Sequence, residues 1–212
     1  MENKTILSII IPCHNLEDYI EKCLNSILQQ NIANIKCEII FILDNCTDTT
    51  EEKIVEKMQS SEGFDWSWQL RKVNYGSPGL SRNEGMSIAR GEYIWFVDGD
   101  DWLIDDNAIQ LLVDLFHNDL SIDVVRFRFD SQGYPNKGVY VTIWQYVFKK
   151  AFIKDMKFRG GLFGEDADFI QRMMGRNPNL ERIYSCFYWY NFPRKGSLAE
   201  QKIKNREDDG ND

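Results

Sequence analysis

An apolar run, Tyr93-Ile94-Trp95-Phe96-Val97, stops abruptly in Asp98-Gly99-Asp100-Asp101-Trp102. Such a run reads as a strand buried on both faces, the kind that helices cover in a parallel sheet. In open α/β sheets, ligands bind just beyond the carboxyl ends of the strands. The run therefore delivers three carboxylates to the edge where a binding site is expected. Carboxylates this close repel one another unless a proton or a cation neutralises them. Oxygen-only ligands suit Mg²⁺ or Mn²⁺, and Mg²⁺ commonly brings substrate phosphates with it. A helix N-cap accounts for one of these aspartates, not for the cluster.

The surrounding pattern predicts the sheet that this strand belongs to. Ile6 to Pro12 is a β-branched apolar run, the first strand. Leu16 to Gln29 carries Ile20, Cys23, Leu24, Ile27 and Leu28 at helical spacing, with Asn15 placed as its N-cap. Glu38 to Leu43 reads as a second buried strand, Thr50 to Met58 as a helix, and Trp66 to Val73 as a more amphipathic strand. Leu80 to Arg90 follows as a helix stopped by Gly91. Asn107 to His117 is another helix, and Val124 to Phe129 another strand. Strands alternating with helices imply βαβ units, hence an α/β fold with a mostly parallel sheet. After Asp130 the pattern loosens. Gly133 to Gly138 reads as a turn region and Val139 to Trp144 as an edge or antiparallel strand. Phe163 to Met174 reads as a helix with the acidic start Glu165-Asp166-Ala167-Asp168, and Ile183 to Phe192 as an aromatic strand. This second half is expected to be an acceptor region grafted on the same sheet. One domain over residues 1–199 and a polar, disordered tail over 200–212 are expected.

The chain has 212 residues, 43% of them hydrophobic, enough for one sizeable core. A net charge of −8 argues against non-specific nucleic-acid binding, which needs basic patches. The five cysteines are odd in number and show no zinc-site spacing. Cys13 and Cys37 fall in or beside apolar runs, where free cysteine acts as a small hydrophobe, so a reducing compartment is expected. Met1-Glu2-Asn3-Lys4 lacks a signal-peptide pattern, and no apolar run is long enough to span a membrane. A cytoplasmic protein is expected.

Three features fall at strand ends beside the acidic cluster. Pro12-Cys13-His14-Asn15 lacks the Gly-x-Gly-x-x-Gly of dinucleotide-binding domains and the glycine-rich loop of sugar nucleotidyltransferases. Asp44 to Thr50 suits an Asx turn and N-cap, and equally a carboxylate at the sheet edge that meets a base or ribose; the two are compatible. Gly76 to Gly85 is a small-residue loop feeding a helix with Arg82 in its first turns. That pattern suits phosphate, or simply begins a helix. Glu165-Asp166 on its own is an acidic first turn favoured by the helix dipole. His14 and His117 show no metal spacing, and Phe187-Tyr188-Trp189-Tyr190 suits either sugar stacking or a core strand.

Taken together these residues resemble the family 2 glycosyltransferases of bacterial polysaccharide type, inverting enzymes of the Rossmann-like GT-A fold. The resemblance runs over residues 5–105, through Pro12, Asn15, Asp44 to Thr50, Arg82-Asn83, Gly85, Gly91-Glu92-Tyr93 and Asp98-Gly99-Asp100-Asp101. Glu165-Asp166, with Phe169 after Gly164, resembles the family's second acidic motif, and Trp144 to Phe158 the segment before it. Tyr188, Tyr190, Arg194 and Ser197-Leu198 resemble an aromatic strand and basic loop found near the end of many members. The resemblance implies a nucleotide-sugar half over about 1–105 and an acceptor half over about 106–199. It places Pro12, His14, Asn15, Glu17 and Asp44 around the nucleotide, with Asp44 on the base, commonly uracil. Arg82 would serve the base or diphosphate, and Asp98 the ribose and metal. Asp100 would be the main ligand of Mg²⁺ or Mn²⁺. Asp166 would be the catalytic base, with Glu165 as the second choice. His14 stands where tyrosine is common. The implied reaction moves a sugar from a nucleoside diphosphate sugar, commonly UDP-linked, to a hydroxyl of a glycan or lipid-linked glycan. Family habit adds a peripheral contact at the inner face of the membrane. The spacer between Asp101 and Glu165 is short for the family and the chain ends early, which keeps a non-catalytic nucleotide-sugar-binding module as the alternative.

Overall fold

A computed structural model describes residues 4–32, 35–61, 66–131, 142–160, 164–192 and 194. In chain order the elements are β1 (Leu7–Cys13), α1 (Ile20–Leu28), β2 (Cys37–Asp44), α2 (Thr50–Ser60), β3 (Trp66–Val73), α3 (Pro78–Ile88) and β4 (Tyr93–Phe96). Then come β5 (Trp102–Leu103), α4 (Ala108–Asn118), β6 (Val124–Ser131), a 3₁₀ turn (Ile143–Gln145), β7 (Tyr146–Lys149), α5 (Lys150–Ile153), α6 (Glu165–Met174) and β8 (Leu180–Tyr190). One eight-stranded sheet holds them in the order β3-β2-β1-β4-β7-β6-β8-β5.

The apolar runs lie where two-sided burial requires them. β2 is buried at every position, and β1 sits between it and β4 in parallel register. Alternate residues of these strands feed two cores. Ile9, Phe41 and Trp95 face α1, α2 and α4, whereas Ile10, Ile40 and Phe96 face the side covered by α6. β3 forms one margin and is half-exposed, in keeping with its amphipathic sequence. Beyond β4 the sheet changes character. β7 pairs antiparallel with β4 and β6, and β8 runs parallel to β6 and antiparallel to β5. β6 therefore runs in the same sense as β4, and both deliver their carboxyl ends to one edge.

Three local expectations are corrected. Asn15 does not cap the first helix, which begins only at Ile20. Instead Asn15 adopts φ +50° and its side-chain oxygen accepts the Thr47 N–H at 2.8 Å, because a neighbouring loop supplies a better donor than the helix. Residues 143–144 are not strand. Trp144 is buried in a 3₁₀ turn, stacked on Tyr188 at 4.4 Å, and its carbonyl accepts the Trp95 indole N–H, which takes it out of any ladder. Residues 139–141, the Gly133–Gly138 turn, Phe163 and the 200–212 tail lie outside the described residues. Gly91 does not stop α3, which ends at Ile88.

Gly91 has a different reason to be glycine. Its N–H donates to Ser8 Oγ at 2.8 Å, and an added Cβ would stand 2.5 Å from the Ser8 backbone nitrogen. This is the foot of the sheet. There Glu38, fully buried, accepts from Ser8 Oγ at 2.6 Å and from the Arg90 backbone N–H at 2.6 Å, with the Arg90 guanidinium 2.9 Å away. Burial pushes the Glu38 carboxyl up, but the Ser8 and Arg90 hydrogen bonds outweigh it and hold it below the usual carboxylate range. Gly91→Ala is expected to force β1 and the α3–β4 connection apart, at a cost of about 1–3 kcal/mol. A lower urea midpoint at unchanged slope checks this; an unshifted midpoint would show that the backbone contact is soft.

Candidate functional site

The loop between β3 and α3 is built on one carboxylate. Asp44, the last residue of β2, accepts the N–H groups of Tyr75 (2.7 Å), Gly76 (3.0 Å) and Ser77 (3.0 Å) and the Ser81 hydroxyl (3.0 Å). A carboxylate offers about four lone-pair sites, so these bonds use it fully. Burial pushes its pKa up, and the backbone donors from Gly76, Tyr75 and Ser77 more than reverse that. Asp44 thus shapes the loop from beneath, with 5% of its surface exposed.

The loop in turn reaches the acidic start of α6. Ser77 caps α3, and its hydroxyl donates to Glu165 Oε2 at 3.1 Å. The Gly79 N–H donates to Glu165 Oε1 at 2.7 Å, and an added Cβ at Gly79 would collide with that carboxylate. Burial and the neighbouring charge of Asp166 push the Glu165 carboxyl up, against the pull of Arg82. Asn83 pins the segment before α6 by exchanging two 2.8 Å hydrogen bonds with the Phe158 backbone.

Arg82, in the first turns of α3, is 4% exposed and joins three carboxylates. Its guanidinium donates to Asp98 at 2.7 Å and to Asp166 at 3.0 Å, with Glu165 at 3.8 Å. Asp166 also accepts the Ile143 N–H at 3.2 Å. Burial opposes the charge on Arg82, but Asp166 and Asp98 hold it firmly cationic. The end of β4 and the start of α6, far apart in sequence, thus meet on one buried guanidinium.

The other acidic-loop residues divide by surroundings. Asp101 is 1% exposed and accepts the Tyr188 hydroxyl at 2.7 Å and the Asn191 N–H at 2.8 Å. Burial pushes its carboxyl well up, and Asp100 and Asp98 add to the effect. The same Tyr188 oxygen accepts the Asp98 N–H at 3.1 Å. Asp100 pairs with the Arg194 guanidinium at 2.5 Å. Burial pushes Asp100 up while Arg194 draws it down, and burial wins. Among the described residues, no group of three His, Cys, Asp or Glu side chains stands at metal-binding spacing.

The remaining candidates sit at the neighbouring loop. The ring nitrogen Nδ1 of His14 lies 2.7 Å from the Asp44 carbonyl, which only accepts, so Nδ1 carries the proton. Asn15 and Glu17 staple the β1–α1 loop to the β2–α2 loop. Glu17 accepts the Thr49 hydroxyl at 2.7 Å, and the Leu16 N–H donates to Thr50 Oγ1 at 2.7 Å. Pro12, near the end of β1, is half-buried. The structure thus gathers Arg82, Asp98, Glu165 and Asp166 directly, with Asp44 one serine away and Asp100 held by Arg194. Ser77, Tyr188 and Asp101 have roles that sequence reading missed. The Ser-Pro pair at 77–78 is a legible helix start, since serine caps and proline suits the first helical position. Tyr188 falls in the aromatic strand that the sequence marks, but nothing local pairs its hydroxyl with Asp101.

The family model for Glycosyl transferase family 2 matches residues 8–175. The poly(ribitol-phosphate) beta-glucosyltransferase of Bacillus spizizenii is 39% identical over 97 residues, covering 46% of this chain and 15% of that protein. The crystal structure of S. aureus TarS 1–349 in complex with UDP-GlcNAc superposes with a TM-score of 0.78 at 23% identity, covering 92% of this chain and 61% of that one. A mannosyltransferase from Pyrobaculum calidifontis in complex with GDP-Man and Mn²⁺ superposes with a TM-score of 0.77 at 15% identity, covering 95% and 61%. The chain spans less than a third of the length of the first curated relatives it matches, 31% and 15%.

Two stability experiments follow from the geometry. Tyr188→Phe removes the hydroxyl shared by Asp98 and Asp101 and is expected to cost about 1–3 kcal/mol, because Asp101 stays buried without that donor. Thermal or urea unfolding measures it, and a neutral result would mean that water replaces the hydroxyl. Asp44 has a folded pKa below its ordinary value of about 3.9. Its stabilisation is therefore complete above that value and lost as the pH falls through the folded pKa. Asp44→Asn is expected to be less stable than the wild type at neutral pH, with the gap closing below about pH 4. A gap that persists unchanged in acid would show that the charge contributes nothing.

Proposed function

The chain belongs to glycosyl transferase family 2 and has its GT-A fold, and from this we propose that it transfers a sugar from a UDP-sugar to an acceptor hydroxyl with inversion. The observation that carries the reading is the Arg82 bridge, which ties the Asp98 loop of a donor half to Asp166 in an acceptor half. The TarS complex with UDP-GlcNAc supports UDP as the carrier. The name of the Bacillus relative supports an acceptor in cell-surface polymer synthesis. Residues 1–105 would make the donor half and 106–199 the acceptor half.

In this reading Asp166 takes the proton from the acceptor hydroxyl. The oxygen forms a bond to the anomeric carbon as the carbon–oxygen bond to the diphosphate breaks, and the electron pair leaves with the nucleoside diphosphate. Attack opposite the leaving group inverts the centre, so one carboxylate base suffices. Glu165 and Ser77 hold the β3–α3 loop against α6 and act through position. Arg82 fixes Asp166 and Asp98 relative to each other. Pro12 and His14 line the nucleotide pocket, which Asn15, Glu17 and Asp44 brace through their loop contacts.

A divalent cation fits the acidic loop. Asp98 and Asp100 would hold Mg²⁺ or Mn²⁺ jointly with diphosphate oxygens, and such shared sites need only one or two carboxylates. Burial of Asp100 beside Asp98 gives the loop a demand for positive charge, which Arg194 meets in this structure. When bound, the ion supplies Lewis-acid stabilisation of the departing diphosphate. The Mn²⁺ in the mannosyltransferase complex supports this choice of ion.

Calorimetric titration with UDP, with and without Mn²⁺, tests the donor site; tight binding only with the metal is the expected result. Asp100→Ala is expected to lose the metal-dependent part and keep the fold. Asp166→Asn is expected to bind UDP as the wild type does and to lose transfer about 10²- to 10⁴-fold. Full transfer by Asp166→Asn would move the base elsewhere. Wild-type UDP binding with no acceptor-dependent release of UDP would instead support a donor-binding module.

A further inference from the structure

The loops that follow β1 and β2 lie beside the acidic loop. β1 stands between β2 and β4 in the sheet. An added Cβ at Gly99 would stand 2.7 Å from the Leu16 side chain. The Arg194 guanidinium, paired with Asp100, lies 5.1 Å from the centre of the Tyr19 ring. Two strand spacings, about 10 Å, separate the ends of β4 and β2. A diphosphate held at Asp98 and Asp100 would thus bring its ribose and base over the ends of β1 and β2.

Most polar side chains there are taken up by the loops themselves. Asp44 accepts four donors and is 5% exposed, so it has no lone pair left for a base. Leu43, just before it, is apolar and buried. The Asn15 side-chain oxygen accepts the Thr47 N–H. Glu17 accepts from Thr49, and Asp48 accepts the N–H groups of Glu17 and Thr50. Asn45 and Asn74 pair through their amides, groups that offer donor and acceptor alike. Asp18 is exposed, but no hydrogen bond orients it among the described residues, and it lies at the approach to α1. His14 differs from all of these. It is exposed, its Nδ1 is engaged on the Asp44 carbonyl at 2.7 Å, and its Nε2 has no partner among the described residues. A carbonyl only accepts, so Nδ1 carries the proton and the neutral ring presents a lone pair at Nε2. The backbone bond holds that tautomer and makes Nε2 an acceptor of fixed sense.

We propose that His14 reads the base of the sugar donor: Nε2 accepts the ring N–H of the base's pairing edge, N3–H of uracil or N1–H of guanine. Cytosine and adenine offer a lone pair at that position and are refused. The proposal rests on the glycosyltransferase reading and adds to it the residue that selects the carrier. Asp44 contributes through its carbonyl, which sets the tautomer, and not through its carboxylate.

The test titrates the full chain, in the presence of Mn²⁺, with UDP, GDP, CDP and the ring-N-methyl analogue of whichever carrier binds best. The wild type is expected to bind UDP or GDP about 10- to 100-fold more tightly than CDP, because CDP leaves the imidazole lone pair without a donor. The UDP and GDP arms decide which base supplies the N–H. The N-methyl analogue lacks that hydrogen and is expected to bind as poorly as CDP. His14→Phe keeps a flat ring without the acceptor and is expected to abolish the preference. His14→Gln, whose amide accepts or donates according to its orientation, is expected to bind the preferred carrier and CDP alike, and both more tightly than His14→Phe does. A merely structural histidine would not give that rescue. Equal wild-type affinity for UDP, GDP and CDP, tight binding of the N-methyl analogue, or a preference that survives in His14→Phe would overturn the proposal and leave the donor site in place. Failure of the wild type to bind any of these diphosphates would sink the glycosyltransferase reading, and this inference with it.

Discussion

A guanidinium sealed from water holds the two halves of the candidate site in register. Arg82 is anchored by its own helix, yet its partners Asp98 and Asp166 come from the loop after β4 and the start of α6. Burying such a group costs several kcal/mol, repaid only when charged hydrogen bonds of good geometry surround it. Here the balance is not fully closed. The Arg82 Nε is buried and has no hydrogen-bond partner among the described residues. Buried donors left unpaired are rare, and a hydrophobic side chain of similar volume would serve stability better. The arrangement is the one expected where carboxylate positions matter more than stability.

The same logic divides the three aspartates after β4. Asp101 turns inward and binds the last strand through Tyr188 and Asn191. Because Tyr188 also receives the Asp98 N–H, the seating of β8 is transmitted directly to the acidic loop. Asp98 and Asp100 remain at the surface of the site, each against an arginine. One carboxylate of the cluster is thus a structural fastening, and the other two each face an arginine. A site that begins in the first hundred residues is therefore incomplete without the strand that follows α6.

Much of this was legible in the sequence, and the limits have a physical cause. β1, β2 and β4 were readable because burial on both faces writes an unbroken apolar run, and α1 because its apolar spacing is helical. The misreadings all concern polar or small residues whose partner comes from elsewhere in the fold. Asn15 suits a helix cap locally, but Thr47 lies within reach. Gly91 looks like a helix stop, but the Ser8 backbone leaves no room for a side chain. Trp144 looks like strand, but the Trp95 indole takes its carbonyl. Glu165-Asp166 reads locally as a dipole-favoured first turn. Only Arg82, more than eighty residues earlier, separates Asp166 from the bracing role of Glu165.

Net charge and local field point in opposite directions here. A surface of net charge −8 repels phosphates at long range, yet every reading of the site requires phosphate to approach. The field that a ligand meets within a cleft is set by the nearest groups, not by the sum. Arg82 and Arg194 stand among the carboxylates of the acidic loop and offset their charge, so the field there is weaker than the net charge of the whole chain implies.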